Sequence, residues 1–125
     1  MEAKVRVSLM QDLIKRIQDV LEPSLLKKGY EGSHRLSGHC YAASEALYHA
    51  LGGADSDWFP VRARDAENVT HWWLENAAGE RLDPTHEQYT EQEKTPPYAD
   101  GKRGGFLTKA PSKRAQIILE AIGES

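Results

Sequence analysis

Cys40 is the only cysteine in the chain, and it follows Gly38 and His39 at the predicted start of a helix. The unpaired N–H groups and the dipole at a helix N-terminus favour an anion, so we expect this thiol to ionise more readily than a free one. The thiolate is the nucleophilic form, and an ordinary thiol is only a few per cent ionised at neutral pH. The alternative is a cysteine that packs as a small hydrophobic residue. The position of Cys40 therefore predicts a candidate nucleophile.

His71 lies in an apolar segment that is rich in β-branched and aromatic residues and is predicted to form a strand. A polar imidazole in such a strand needs a hydrogen-bond partner. By alternation, His71 shares one face with Val69 and Trp73, whereas Trp72 and Leu74 point to the other face. The alternative role is a core histidine that is bonded to a backbone carbonyl. With a cysteine nearby, His71 becomes a candidate general base.

Asp83 is a suitable partner for His71 if the intervening hairpin closes through a three-residue loop. Such loops favour a left-handed residue at their last position, and Gly79 occupies that position. Asn76 then lies opposite Glu80, and His71 becomes the diagonal neighbour of Asp83 on one face of the sheet. A loop of two or four residues shifts the register by one and moves Asp83 to the other face. The glycine favours the register that brings the two side chains together.

Cys40, His71 and Asp83 are therefore the candidate nucleophile, base and orienting residue of a catalytic triad. The three side chains form this triad if the helix that carries Cys40 packs on the face that carries His71. His71 would accept the thiol proton, and Asp83 would fix the tautomer of the imidazole. The backbone N–H of Cys40 would donate to the oxyanion of a tetrahedral intermediate. His34 is a second oxyanion candidate by its position in the preceding loop.

The motifs around the triad resemble a known family. They are Gly38-x-Cys40 at a helix start, His71-Trp72-Trp73 on a strand and Leu82-Asp83-Pro84-Thr85 after a hairpin. This order resembles the transglutaminase-like group of the papain-like superfamily over about 38–85. The resemblance implies that Cys40 is the thiol nucleophile, His71 the base and Asp83 its partner. It also implies a helix packed on an antiparallel sheet and a thioester acyl-enzyme formed from an amide.

Two aromatic residues beside the triad are further candidates for contacts with the substrate or the oxyanion. Trp73 matches the strand tryptophan of the family pattern, and Tyr41 directly follows the nucleophile. Together with the triad, they lead us to expect a thiol-dependent hydrolase or acyltransferase that acts on a peptide or isopeptide amide and needs no cofactor.

The pattern of apolar residues predicts an α+β fold, with N-terminal helices packed on a small antiparallel sheet in a papain-like or transglutaminase-like core. Ser8 and Gln11 have the spacing of a capping box at the start of the first helix. The last helix is expected to bury Ile117, Ile118, Ala121 and Ile122. The predicted helices are 8–21, 40–51 and 112–122, the predicted strands are 59–64, 69–75 and 80–83, and 84–105 is predicted to be mostly loop.

Composition narrows the class of protein. The chain has 125 residues, with 16 Lys and Arg against 19 Asp and Glu, and its formal net charge is −3. That charge does not favour nucleic-acid binding. No apolar run approaches the ~20 residues of a membrane helix, and the start lacks the apolar core of a signal peptide. We therefore expect one cytoplasmic domain over 1–125, without membrane contact and without an internal disulfide.

A basic segment suggests an alternative class of function. Residues 102–114 contain no acidic side chain and carry the basic residues Lys102, Arg103, Lys109, Lys113 and Arg114. Such a segment is often a solvated surface, but it would suit an anionic partner. The alternative is thus a non-enzymatic binding or adaptor module of the same fold.

A zinc site is a weaker alternative to the triad. Cys40, His71, Asp83 and His86 offer suitable ligand types, but their spacing matches no short metal motif. His39 is expected to be exposed and to point away from this group. The residue pattern therefore favours thiol chemistry over a metal centre.

Overall fold

The computed structural model describes residues 3–26, 32 and 34–124, and it has an α+β architecture. The helices are α1 (Ala3–Val20), α2 (Cys40–Ala50), α3 (Glu87–Thr90) and α4 (Lys113–Ala121), and the strands are β1 (Trp58–Arg64), β2 (Thr70–Asn76), β3 (Arg81–Leu82) and β4 (Lys102–Arg103). Short 3-10 turns lie at Pro23–Leu25, Gly53–Asp55 and Tyr98–Asp100. None of the helices in these ranges is long and apolar enough to cross a membrane.

The four strands form one antiparallel sheet in the order β3-β2-β1-β4. The hairpin between β2 and β3 has the predicted register, since Leu74 pairs with Leu82 and the Asn76 N–H donates to the Glu80 carbonyl at 3.2 Å. Gly79 has a φ of +83°, the left-handed conformation that the three-residue loop requires. The predicted hairpin is therefore confirmed, although β3 is shorter than the predicted strand.

The two faces of the sheet are covered differently. On one face, Leu74 is fully buried in a helical core with residues of α1, α2 and α4. On the other face, Val61 and Trp73 form a second cluster against which Phe59 and Tyr98 pack. The segment after β3 therefore covers the side of the sheet that the helices leave open.

A buried carboxylate joins α2 to α4. Glu45 of α2 is fully buried and accepts hydrogen bonds from the Ser112 N–H at 2.8 Å and the Ser112 hydroxyl at 2.6 Å. The Ser112 hydroxyl in turn accepts from the Ala115 N–H and caps α4. These donors offset the cost of burying a carboxylate. They fix the start of the last helix, which agrees with the predicted position.

Several predicted details are wrong. Helix α1 begins at Ala3, so Ser8 lies inside the helix and does not cap it. In α4, Ile117 is 45% exposed and Ala121 is also exposed, because Ala115 and Leu119 complete the buried stripe instead. The predicted loop 84–105 contains α3, a 3-10 turn and β4. Short elements of two to four residues lack the periodicity by which longer ones are recognised.

Gly101 should tolerate no side chain, because the turn that precedes β4 presses against the sheet. A Cβ at this position would lie 2.6 Å from Trp73 Cζ2 and 2.9 Å from Val61 Cγ1. We expect Gly101→Ala to lower the free energy of unfolding by about 1–3 kcal/mol, as overpacking does elsewhere. Urea denaturation measures this loss. Gly105→Ala is the matched control, since a Cβ there meets nothing within 4 Å and should change little.

Candidate active site

The start of α2 presents Cys40 at one end of the sheet. Gly38 precedes the helix in the left-handed conformation, with a φ of +83°. The N-cap residue, His39, makes no side-chain hydrogen bond to the helix, so the N–H groups of the first turn have no capping side chain there. The Cys40 thiol is partly exposed, and its Sγ lies 3.6 Å from the Thr70 carbonyl at the start of β2. The thiol thus lies at the N-terminus of α2 and donates to a backbone carbonyl of β2.

His71 and Asp83 form a buried pair. The distance from His71 Nε2 to Asp83 Oδ2 is 2.6 Å, and the two side chains are 0% and 3% exposed. Asp83 Oδ2 also accepts a hydrogen bond from the Tyr98 hydroxyl at 2.7 Å, and Oδ1 accepts from the Thr85 N–H at 3.1 Å. The carboxylate therefore has three donors, as a buried charge requires.

The other side of the His71 imidazole faces the thiol. Burial lowers the pKa of His71, but the hydrogen bond to Asp83 and the interaction with Cys40 outweigh it and raise the pKa to about 9. Nδ1 is buried and has no hydrogen-bond partner of normal geometry among residues 3–26, 32 and 34–124. The ring therefore contacts the carboxylate through Nε2, and its other nitrogen makes no hydrogen bond of normal geometry within the described residues.

Helix α2 reaches this site differently from the prediction. Its body packs against the face that carries Leu74, with which Ala43, Ala46 and Leu47 share the helical core. His71 lies on the opposite face, since it pairs with Ala63 and stacks beside Trp73. The body of α2 therefore does not meet the condition that the triad was given, which was packing on the His71 face. Only the first turn of α2 meets His71, because Cys40 projects past the end of the sheet beside Thr70.

Aromatic side chains enclose the imidazole. Trp73 stacks beside His71 with ring centroids 5.5 Å apart and an interplanar angle of 25°. Tyr89 approaches edge-on at 4.8 Å, and Tyr98 lies at 6.5 Å. The Trp73 indole N–H donates to Glu75 Oε2 at 2.7 Å, which fixes its ring. This enclosure restricts the imidazole and excludes water from its pair with Asp83.

The structure does not bring the additional predicted contacts into the site. His34 has both ring nitrogens engaged, with the Leu36 N–H at 3.1 Å and Glu91 Oε1 at 2.8 Å, so it is not free to bind an oxyanion. Trp73 is fully buried and cannot touch a substrate. The Tyr41 ring packs on Trp72 at 5.0 Å, on the face opposite His71. Trp73 supports the imidazole, and Tyr41 helps to pack the opposite face.

His39 is buried, which contradicts its expected exposure. It is 2% exposed, and burial, together with the charges of Arg35 and Arg114, lowers its pKa to about 4. His39 is therefore neutral at physiological pH. A neutral ring adds no positive charge beside the thiol, so the charged imidazole of this region is His71.

Apart from Lys109, which lies in a loop, the basic residues of 102–114 lie on two separate elements, two on each. Lys102 and Arg103 are in β4 at the sheet edge, and the Arg103 guanidinium lies 4.2 Å from the centre of the Phe59 ring. Lys113 and Arg114 open α4, and Arg114 Nη1 donates to the Leu25 carbonyl at 3.3 Å. Two of the four therefore contact their own fold.

A cleft of about 570 Å³ lies behind Tyr89, and its lining does not include Cys40, His71 or Asp83. Tyr89 forms part of its wall and also touches His71, and Ser37 lies just before the helix that begins with Cys40. The Tyr89 hydroxyl donates to Asp65 Oδ2 at 2.8 Å, which fixes that wall. The other lining residues are mostly small or polar: Gly32, Ala66, Glu67, Val69, Gln88, Gln92, Lys94 and Thr95.

Three contributors to the site have weak sequence signals or none. The Thr85 N–H binds the Asp83 side chain two residues back, a local turn that Asp favours and that could have been predicted. Tyr98 and Asp65 lie in irregular segments, so neither helical nor strand periodicity predicts where their side chains point.

No family model, curated protein or solved structure matches the chain. In the part of the chain that the structure describes, no group of three or more His, Cys, Asp or Glu side chains is arranged to hold a metal ion. The contacts among Cys40, His71 and Asp83 are therefore the basis for assigning a function.

Proposed function

We propose that this protein is a thiol-dependent amide hydrolase or acyltransferase that uses Cys40, His71 and Asp83. The observation that carries the proposal is the buried 2.6 Å contact between His71 and Asp83, with the thiol on the other side of the same ring. Nδ1 of His71 has no hydrogen-bond partner of normal geometry in the described ranges, which leaves it available to the thiol. The resemblance of the motifs to the transglutaminase-like group supports the same chemistry.

Formation of the acyl-enzyme follows from these contacts. In the resting ion pair His71 already holds the thiol proton on Nδ1, and the Cys40 thiolate attacks the amide carbonyl carbon. The carbonyl oxygen becomes an oxyanion, to which the Cys40 N–H and the other free N–H groups of the first turn donate. The C–N bond then breaks, and His71 returns its proton to the leaving amine. Asp83 remains ionised and holds the ring throughout.

The second half-reaction releases the acyl group from sulfur. Water or an amine attacks the thioester carbonyl while His71 removes a proton from the attacking group. Collapse of this intermediate breaks the C–S bond and restores the ion pair of the Cys40 thiolate and the protonated His71. The product is an acid with water and a new amide with an amine. One site therefore supports both hydrolysis and acyl transfer.

The cleft lined by Tyr89 is the expected binding place for the acyl donor. Its volume of about 570 Å³ is within the usual range for small-molecule sites and suits a short peptide segment. Its walls contain both carboxylates and an ammonium group, of which Glu67 and Lys94 pair at 2.7 Å. Hydrogen-bonding side chains predominate in this cleft, which favours a peptide or isopeptide substrate over an apolar ester.

Detection of an acyl-enzyme tests the proposal. A blocked amino-acid p-nitrophenyl ester should release one equivalent of p-nitrophenolate rapidly, and intact mass should show one acyl group that neutral hydroxylamine removes. Peptide mapping should place the group on Cys40, and Cys40→Ala should give neither signal. Equal release by the wild type and Cys40→Ala would contradict the proposal. Peptide amides with and without a primary amine would then separate hydrolysis from transfer.

A further inference from the structure

Tyr98 joins the site from a segment whose contacts the sequence does not predict. Its hydroxyl donates to Asp83 Oδ2 at 2.7 Å, the same oxygen that His71 Nε2 contacts at 2.6 Å. Burial and the charge of Asp83 raise the pKa of Tyr98 above its ordinary value, so the hydroxyl stays protonated at neutral pH. At neutral pH the Tyr98 hydroxyl therefore always donates to the Asp83 oxygen that His71 Nε2 also contacts.

The fold holds the Tyr98 ring firmly. Its face lies 3.7 Å from the guanidinium of Arg81, and its edge meets Trp73 with centroids 5.2 Å apart. Arg81 is two residues before Asp83 on the same hairpin, so one short segment carries both the acid and a support for its second donor. Gly101 allows the turn of Tyr98 to lie against Trp73.

We propose that Tyr98 is a positioning residue of this site. Its hydroxyl fixes Asp83 Oδ2 and, by donating to that oxygen, weakens the attraction of the Asp83 carboxylate for the charged His71 ring. A hydrogen bond to a carboxylate stabilises its charge and weakens its attraction for a neighbouring cation. Without Tyr98, Asp83 would hold the imidazolium more tightly, and His71 would return its proton less readily to the leaving amine. Tyr98 thus balances the basic and acidic roles that His71 has in the proposed function.

The other ionisable groups near His71 and Asp83 do not replace the hydrogen bond from Tyr98 to Asp83. The ionisable side chains that face it are Cys40 from α2, Asp65 after β1, Arg81 from β3, and His86, Glu87 and Tyr89 at α3. His86 interacts with the Asp83 backbone carbonyl, and Tyr89 donates to Asp65. Among the described residues, Tyr98 and His71 are the side chains with a hydrogen bond to the Asp83 carboxylate.

The test compares two tyrosine-to-phenylalanine variants by NMR titration of the His71 ring. In Tyr98→Phe the ring still packs on Arg81 and Trp73, but Asp83 loses a donor, so the pKa of His71 should rise by about half a unit or more. Tyr89→Phe is the matched control, because its ring also touches His71 while its hydroxyl binds Asp65. Its shift should be clearly smaller.

The titration needs no catalytic turnover, so it separates this inference from the proposed function. An unchanged or lowered pKa of His71 in Tyr98→Phe would overturn the inference, even in an active enzyme. A raised pKa without acyl-enzyme formation in the wild type would retain the hydrogen-bond role and reject the function. In an active enzyme, Tyr98→Phe should also reduce kcat several-fold and leave KM nearly unchanged, whereas damage to substrate binding would raise KM.

Discussion

Replacement of His71 by alanine should slow the alkylation of Cys40 by iodoacetamide at pH 7 by about tenfold. The wild-type imidazole is charged at this pH, since its pKa is raised to about 9, and it lies beside the thiol. A neighbouring imidazolium stabilises the thiolate, and the thiolate is the species that reacts. A thiolate that is stabilised in this way is intrinsically less nucleophilic, which offsets part of the gain and limits the expected difference in rate to about tenfold. Rates from intact mass give the measurement, because the chain has one cysteine.

The control for this experiment is His34→Ala. His34 lies six residues before Cys40 in the sequence. Its ring nitrogens contact Leu36 and Glu91 and not the thiol. Alkylation of His34→Ala should therefore proceed at the wild-type rate. His71→Asn guards against unfolding of the alanine variant, and circular dichroism checks both. Equal rates in the wild type and a folded His71 variant would show that the imidazole does not activate the thiol.

The contact between His71 and Asp83 was predictable because it depends on local geometry. One glycine at the end of a three-residue loop fixes the register of the hairpin, and the register places both residues on one face. Alternation along β2 then requires His71 to be buried with Trp73. Short-range rules of this kind need no knowledge of the rest of the fold.

The packing of α2 was not predictable from the same rules. The alanines and Leu47 of the helix show that it is buried, but β2 has a tryptophan on each face and each face is a possible partner. The structure selects the Leu74 face, and the turn of Tyr98 covers the face of His71. The thiol and the imidazole meet only at the end of the sheet. Tertiary packing therefore decides a contact that periodicity leaves open.

Burial also explains why the charge states of His39 and His71 could not be predicted from the sequence. His39 and His71 are both almost completely buried, but only His71 has a carboxylate partner. Desolvation disfavours the charged ring in both cases, and the Asp83 carboxylate reverses the balance for His71 alone. Sequence patterns show neither the depth of burial nor the sign of the surrounding charge.

When Cys40 is replaced by serine, so that no thiol titrates, the free energy of unfolding should fall by up to about 3 kcal/mol as the pH rises from 6.5 to about 9. Over this interval His71 is protonated in the folded protein and neutral in the unfolded chain. Because the folded pKa is the higher one, the stabilisation is complete below pH 6.5 and is lost as the pH rises through about 9. Urea denaturation at closely spaced pH values measures the decline. More acidic conditions are excluded, because His39 destabilises the fold as the pH falls towards about 4.

Asp83→Asn is the matched variant for this measurement. Asparagine keeps the shape of the side chain and an acceptor for the Thr85 N–H. It removes the negative charge that stabilises the protonated form of His71. Both proteins carry Cys40→Ser, so that no thiol titrates and the comparison reports His71 alone. The protein with Asp83 should be up to about 3 kcal/mol more stable than Asp83→Asn at pH 6.5, and the gap should narrow as the pH rises through about 9. A gap that stays constant with pH would show that Asp83 acts through packing alone and does not hold His71 protonated.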